Sequence, residues 1–347
     1  MDNYQGVMQM KRIKNFILFS FMFSLSVFAQ DQLKVYQNYD FVPGDKILFE
    51  DDFSNTRDGE FPAMWKIFAG QGVVNKIDGK SVFIITEGNY AIMGPRIKTA
   101  TYLDKAFTIE CDYYTEKDDD FGIVIAMPPS EEFNLCGIHA DNVGTIKTHY
   151  MENVGLEGTN PDADKFEYKK WRHLAIAYKD GQMKCYIDQN RILVIPQTEY
   201  QPKFVRIIGT APIRFTNFRI ALGGGMNMLD QLYRDGRIVT RGILFDVGKA
   251  TIKPQSMGVI NEIVKMLKQD AKVKLSIEGH TDSDGDDKLN MTLSQQRADA
   301  VKKAIVDQGI ESARLTTKGL GETKPVDSNS TPEGKANNRR VEFVLVN

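Results

Sequence analysis

The stretch GHTDSDGDDKLNMTLSQQR, Gly279 to Arg297, gathers Asp282, Asp284, Asp286 and Asp287 on one short segment and places a single arginine after a run of amides. Three chemistries use carboxylates at this density: metal ligation, acid–base catalysis, and one pole of a charged clamp. A helix–loop–helix calcium loop needs glycine at its sixth position and glutamate at its twelfth. Counted from Asp282, those positions hold Asp287 and Leu293, so the pattern fails. His280 has no cysteine or histidine at ligand spacing, which leaves no zinc set. Acid–base catalysis needs two titratable groups in different surroundings, whereas aspartates sharing one turn would mostly stay ionised. No metal and no cofactor are expected.

The clamp remains. Asp282 follows KVKLSIEGH, whose alternation predicts a strand, and Arg297 is expected in the first turns of the next helix. Ligands of open α/β units gather at such strand ends. Asp282 would take an ammonium and Arg297 a carboxylate, through two parallel hydrogen bonds. The helix N-terminus would add partial positive charge on the carboxylate side. The alternative is that Asp282 and Arg297 pair with each other, a contact worth about 0–1 kcal/mol when exposed. The residues alone leave these two readings even.

The elements that must position this pair occupy the last third of the chain. RIVTRGILFD reads as a strand. GVINEIVKMLKQD sets Val259, Ile260, Ile263, Val264 and Leu267 on one helical stripe. LSQQRADAVKKAIVDQGI sets Leu293, Val301, Ala304 and Ile305 on one side, with Gly309 as a stop. RLTTKG and NRRVEFVLV are further strands. This predicts a compact α/β domain over 237–347, with strands and helices in alternation. Before it, Gly223-Gly224-Gly225 marks a joint, so 223–236 is expected to be a glycine-rich linker.

From 48 to 222 the pattern is short alternating runs broken by turn residues, which predicts an all-β sandwich of jelly-roll, lectin-like type. Lys179-Asp180-Gly181-Gln182 is a strong hairpin signal. In FTIECDYYTE, Glu110, Asp112, Tyr114 and Glu116 share one strand face. Glycosidases place paired carboxylates at about 5–9.5 Å, and one pleat repeat separates Glu110 from Asp112 by about 6.6–6.8 Å. Tyr114 stands where a regular strand would put a second catalytic glutamate, so a solvated face is the favoured reading. Trp65 and Trp171 are candidates to stack on sugar, with core packing favoured for Trp171. The middle region WRHLAIAYKDGQMKCYID resembles a strand–hairpin–strand of laminin-G and concanavalin-like sandwiches, which implies sugar or protein binding.

Cys111, Cys136 and Cys185 are too few and too odd in number for a disulfide framework. Alternation puts Cys111 and Cys185 on buried strand faces as inert thiols; one Cys111–Cys185 bridge stays open if their strands are neighbours. Lysine and arginine number 44 against 46 aspartates and glutamates, a net charge of −2 that gives no long-range attraction to nucleic acid. Lys11, Arg12 and Lys14 precede the apolar run Phe16 to Ala29, too short to span a bilayer as a helix. Residues 1–29 therefore read as a signal peptide, with Met10 as the natural start, Val27 and Ala29 before the cut, and 30–47 as an N-terminal segment. An uncleaved anchor is the alternative. No cysteine follows the run, so no lipid-modified anchor is expected there.

Residues 236–347 resemble the OmpA-like peptidoglycan-binding domain, in GILFDVGKATIKP, IEGHTDSDG, NMTLSQQRADAVKKAIVDQGI, RLTTKGLGETKPV and NSTPEGKANNRRVEF. The resemblance implies recognition of diaminopimelate in peptidoglycan stem peptides. It places Asp282 and Arg297 on the clamping pair, and Thr281, Asn290, Leu293 and Arg339 near the pocket. Gly248 stands where many members carry asparagine or another polar side chain, which leaves only a backbone contact there. The expected protein is a non-enzymatic envelope component, periplasmic and associated with outer membrane and wall. Its sandwich would bind an outer-membrane protein or a glycan. The rival is a wall-targeted glycoside hydrolase whose sandwich is catalytic.

Overall fold

The computed structural model describes residues 36, 39–103, 106–115, 122–130, 136–141, 144–150, 153–161, 167–198, 200–209, 213–223 and 228–346. The signal peptide, Glu116, Gly224 and Gly225 lie outside the described residues.

Among the described residues, thirteen strands form the first part: β1 Lys46–Asp51, β2 Trp65–Ile77, β3 Lys80–Pro95, β4 Ala106–Thr115, β5 Ile123–Ala126, β6 Gly137–Ala140, β7 Thr145–Tyr150, β8 Asn153–Thr159, β9 Lys170–Lys179, β10 Gln182–Ile187, β11 Asn190–Ile195, β12 Arg206–Gly209 and β13 Arg214–Leu222. They make one continuous antiparallel path, β11-β10-β9-β4-β13-β3-β12-β5-β6-β7-β8, with β1 on β13 and β2 on β3. The end strands approach each other: Asn190, the first residue of β11, donates to Asn160 just past β8 at 2.9 Å. The region is nearly barrel-like.

The period of two decides each face. In β4, Phe107, Ile109, Cys111 and Tyr113 point into the core. The expected hairpin forms between β9 and β10. Lys179 pairs Gln182 while Asp180 and Gly181 both take positive φ, the geometry of a two-residue primed turn. Trp65 is fully buried among Phe49, Phe53, Phe215 and Phe218, with its indole N–H on Asp51 at 2.8 Å. Trp171 is only half-buried, edge-on to Tyr114. The expectation for the two tryptophans is thus reversed, because Trp65 faces the inside of the curled sheet. None of the three cysteines is in a disulfide, and all are buried. β9 lies between the strands of Cys111 and Cys185, so the neighbour condition for a bridge fails.

The second part is a four-stranded sheet, β14 Arg237–Thr240, β15 Leu275–His280, β16 Leu315–Gly321 and β17 Val341–Leu345, in order β14-β17-β15-β16. Only β15 and β16 are parallel, as a helical crossover requires. The helices are α1 Met228–Asp235, α2 Met257–Gln269, α3 Asp287–Val306 and α4 Pro332–Asn338. The α2 stripe is buried as expected. α1 falls inside the segment expected as linker, and its Leu232 is buried in the α/β core. The strand expected over RIVTRGILFD stops at Thr240, whose hydroxyl accepts the Gly242 N–H.

The two parts are docked. Tyr39 and Phe41 are buried against Tyr186 of β10 and Ala175 of β9. On their other side Asn261 of α2 donates to the carbonyls of Tyr36 and Tyr39. Asn337 of α4 exchanges two hydrogen bonds with the backbone of Ile47 in β1.

Candidate functional site

Asp282 sits just past the end of β15, with 12% of its side chain exposed. Its loop is fixed from several sides. The Asp284 N–H donates back to Asp282 Oδ1 at 3.2 Å. Asn290, buried in α3, donates to the carbonyls of Asp282 and Asp284 and to Glu322. Thr281 is buried and its N–H donates to Gly321. Thr281 and Asn290 therefore hold the loop, while Leu293 is half-buried on α3.

Asp282 does not pair with Arg297. Its Oδ2 accepts Nη1 of Arg339 at 2.8 Å. Each oxygen keeps a second acceptor site. Arg297 lies over the Phe245 ring, 4.9 Å from its centroid, and its Nε donates to the Lys249 carbonyl at 3.1 Å. No carboxylate of the described residues lies within 4.0 Å of it. The mutual-pair alternative is thus not what forms. Burial and the Arg339 charge push the Arg297 guanidinium down, against the pull of Asp282, so the three groups share one electrostatic neighbourhood. Arg339 is pushed up by the carboxylates of Glu50 and Asp282, against burial.

Two expectations about position are corrected. Arg297 is the eleventh residue of α3 and not in its first turns, so it lies about 15 Å from the start at 1.5 Å per residue. The helix-end field fades within one turn. That end is in any case closed by the Asp286 side chain, which accepts from the Lys288 and Leu289 N–H groups. Gly248 takes φ +65° in a turn that carries Phe245 and Lys249. The next residue, Lys249, gives its carbonyl to Arg297 Nε.

Arg297 and Arg339 open onto a cavity of ≈110 Å³. Asp282 reaches it through Arg339. Sequence reasoning missed Glu50, whose Oε2 accepts Arg339 Nη2 at 2.7 Å from across the junction. Nothing in KILFED marks it; the contact spans 289 residues of chain.

Residues 244–339 are an OmpA family domain. This domain is 47% identical over 103 residues to YiaD of Escherichia coli (strain K12), covering 30% of this chain and 47% of that protein. It is 39% identical over 108 residues to the peptidoglycan-binding protein ArfA of Mycobacterium tuberculosis (strain H37Rv), covering 31% of this chain and 33% of that one. The chain thus spans less than half the length of these relatives. Among solved structures, the carbohydrate-binding module CBM66 from Bacillus subtilis is 14% identical, over 46% of this chain and 95% of that one, at a TM-score of 0.35. A likeness that slight carries no argument.

Two further clusters bear on chemistry. Glu278, His280 and Glu342 bring possible ligand atoms within 4.8 Å of one another. Arg340 at 2.7 Å and Arg237 at 3.3 Å already neutralise Glu342. Burial, then Arg340, push the His280 imidazole down to about 4. In the β-rich part, Glu110 and Asp112 are not a solvated face. They turn towards the OmpA domain and bracket His173, with Asp112 Oδ1 2.8 Å from Nδ1 and Glu110 Oε2 3.4 Å from Nε2. Burial lowers the His173 pKa, but Asp112 and Glu110 outweigh it and push it up to about 10. Asp112 is pushed down by His173 and Asn217 against burial. A glycosidase needs an acid held protonated; Asp112 is the reverse, a carboxylate fixed in its charged form.

Proposed function

We propose that this protein is a non-catalytic envelope component that holds peptidoglycan through its OmpA domain. The single observation that carries this is Arg297. It is a guanidinium held by Phe245 and the Lys249 carbonyl, with no carboxylate on it, beside an Asp282 whose oxygens each keep one acceptor site. That arrangement suits the zwitterionic end of diaminopimelate, with carboxylate on Arg297 and ammonium on the exposed edge of Asp282. The peptidoglycan-binding name of ArfA supports peptidoglycan as the polymer bound. Thr281, Asn290 and Leu293 shape the loop and helix, and Arg339 orients Asp282.

One charge pair near a surface is worth about 4 kcal/mol before desolvation, so single contacts are modest and repeated sites on a polymer add avidity. In this reading the leader exports the chain, 237–347 grips the wall, and the β-rich part, as a lectin-like sandwich, takes an outer-membrane protein or a glycan. The hydrolase alternative has the Glu110–His173–Asp112 cluster as its one support, and that cluster is an ion-paired brace.

Retention on purified peptidoglycan tests the reading. Asp282→Ala and Arg297→Ala should each cut retention at least about tenfold, the loss of roughly 1.4 kcal/mol or more, with unchanged circular dichroism. Parental retention in both would sink the site.

A further inference from the structure

We propose that the junction between the β-rich part and the OmpA domain holds a second, carboxylate-binding subsite, with Arg219 and Arg339 as its donors, which Glu50 occupies in the unliganded chain. This deepens the wall-binding reading and rests on it. The cavity beside Arg297 is walled by five guanidinium groups, those of Arg219, Arg241, Arg297, Arg339 and Arg340, and by one acidic residue, Glu50. Arg340 is matched by Glu342 and two carbonyls. Arg241 donates to the carbonyls of Asn337 and Asp45. Arg219 is different. It belongs to β13 of the β-rich part and is 5% exposed. Its Nη2 donates to the Arg241 carbonyl at 3.0 Å, but Nε and Nη1 have no hydrogen-bond partner. Those two nitrogens stand 3.6 Å from Glu50 and 4.0 Å from Glu110, too far for hydrogen bonds. Buried donors left unmade are costly.

Arg219 and Glu50 also wall a second cavity of ≈130 Å³ on the Glu110 side, so the guanidinium faces open space on both sides. Glu50 sits opposite Arg219 in the β1–β13 register. Its carboxylate spans the two arginines as a ligand's would, yet hydrogen-bonds only Arg339. It is therefore an incomplete occupant. A free carboxylate that reached both guanidinium forks would satisfy donors that Glu50 leaves bare. With the side-chain end of diaminopimelate on Asp282 and Arg297, the group that falls to this subsite is the residue's main-chain carboxylate. That carboxylate is free when diaminopimelate ends the stem peptide.

The test is calorimetric titration of the full chain with two probes: a stem tripeptide ending in diaminopimelate, and the same tripeptide amidated at its main-chain carboxylate. Glu50→Gln should tighten the free-acid peptide about tenfold, the gain expected when an internal competitor is removed, and leave the amidated one unchanged. Equal or weaker binding of the free acid overturns the proposal. So does an equal gain for both peptides, which would report loosened docking in place of carboxylate exchange. Asp282→Ala should lose both peptides; if it loses neither, the wall-binding reading falls instead. If parent and Glu50→Gln bind neither probe, both fall. Should Glu50→Gln unfold by circular dichroism, Glu50→Asp withdraws the carboxylate while keeping its charge. A selective gain of about threefold then supports the subsite, and none overturns it.

Discussion

His173 shows how a single side chain ties stability to pH. Its folded pKa of about 10 stands above the ordinary 6.5, so the folded state keeps a proton that the unfolded state releases. The stabilisation is complete below about 6.5 and is lost as pH rises through about 10, with a slope of at most ~1.4 kcal/mol per pH unit. Urea unfolding of the parent and of His173→Gln on both sides of that window should show their difference shrinking with rising pH. A constant difference would mean that the imidazolium is not what Glu110 and Asp112 hold. Asp282 and Arg297 were legible in the sequence as types and spacing. Their partners were not: which of two arginines takes Asp282 depends on where α4 delivers Arg339, and no local pattern carries that.

At the scale of elements, the Asp282 loop is an extension of α3. Asn290 reaches back from the first turn of that helix to three acceptors. Asn290→Ala would strand two carbonyls and a carboxylate, so it should cost about 2 kcal/mol in urea unfolding. It should also lower peptidoglycan retention with no ligand contact removed. Retention equal to the parent's would show that the loop needs no such brace. The long elements could be read from periodicity: α2 from its apolar stripe, β15 from Val273, Leu275 and Ile277, and the β9–β10 hairpin from Asp180-Gly181. The short ones could not. α4 has only seven residues, too few for a stripe. Its one signal was local, Thr331 as cap on the Gly334 N–H followed by Pro332.

For the whole molecule, the segment from Tyr39 to Val42 matters as much as either core. It lies between β10 and α2, and Gly258 of α2 meets the Phe41 carbonyl where any Cβ would collide with it. Gly258→Ala should therefore push the segment off the helix, costing about 1–3 kcal/mol. Calorimetry should then resolve two unfolding transitions in place of one. A single transition at the parental temperature would mean that the segment does not couple the two parts. This docking was invisible to sequence reasoning, which saw glycines at 223–225 and expected a linker. Contacts such as Asn337 to Ile47 join residues 290 apart and follow from surface fit.

The three sealed thiols carry a last consequence. Burial pushes Cys111 and Cys185 up, far from thiolate reactivity, and none of the three is bridged. A chain of this kind needs no oxidant to mature, and once folded its buried thiols are closed to crosslinking. Its folded state has no disulfide for a reducing compartment to break.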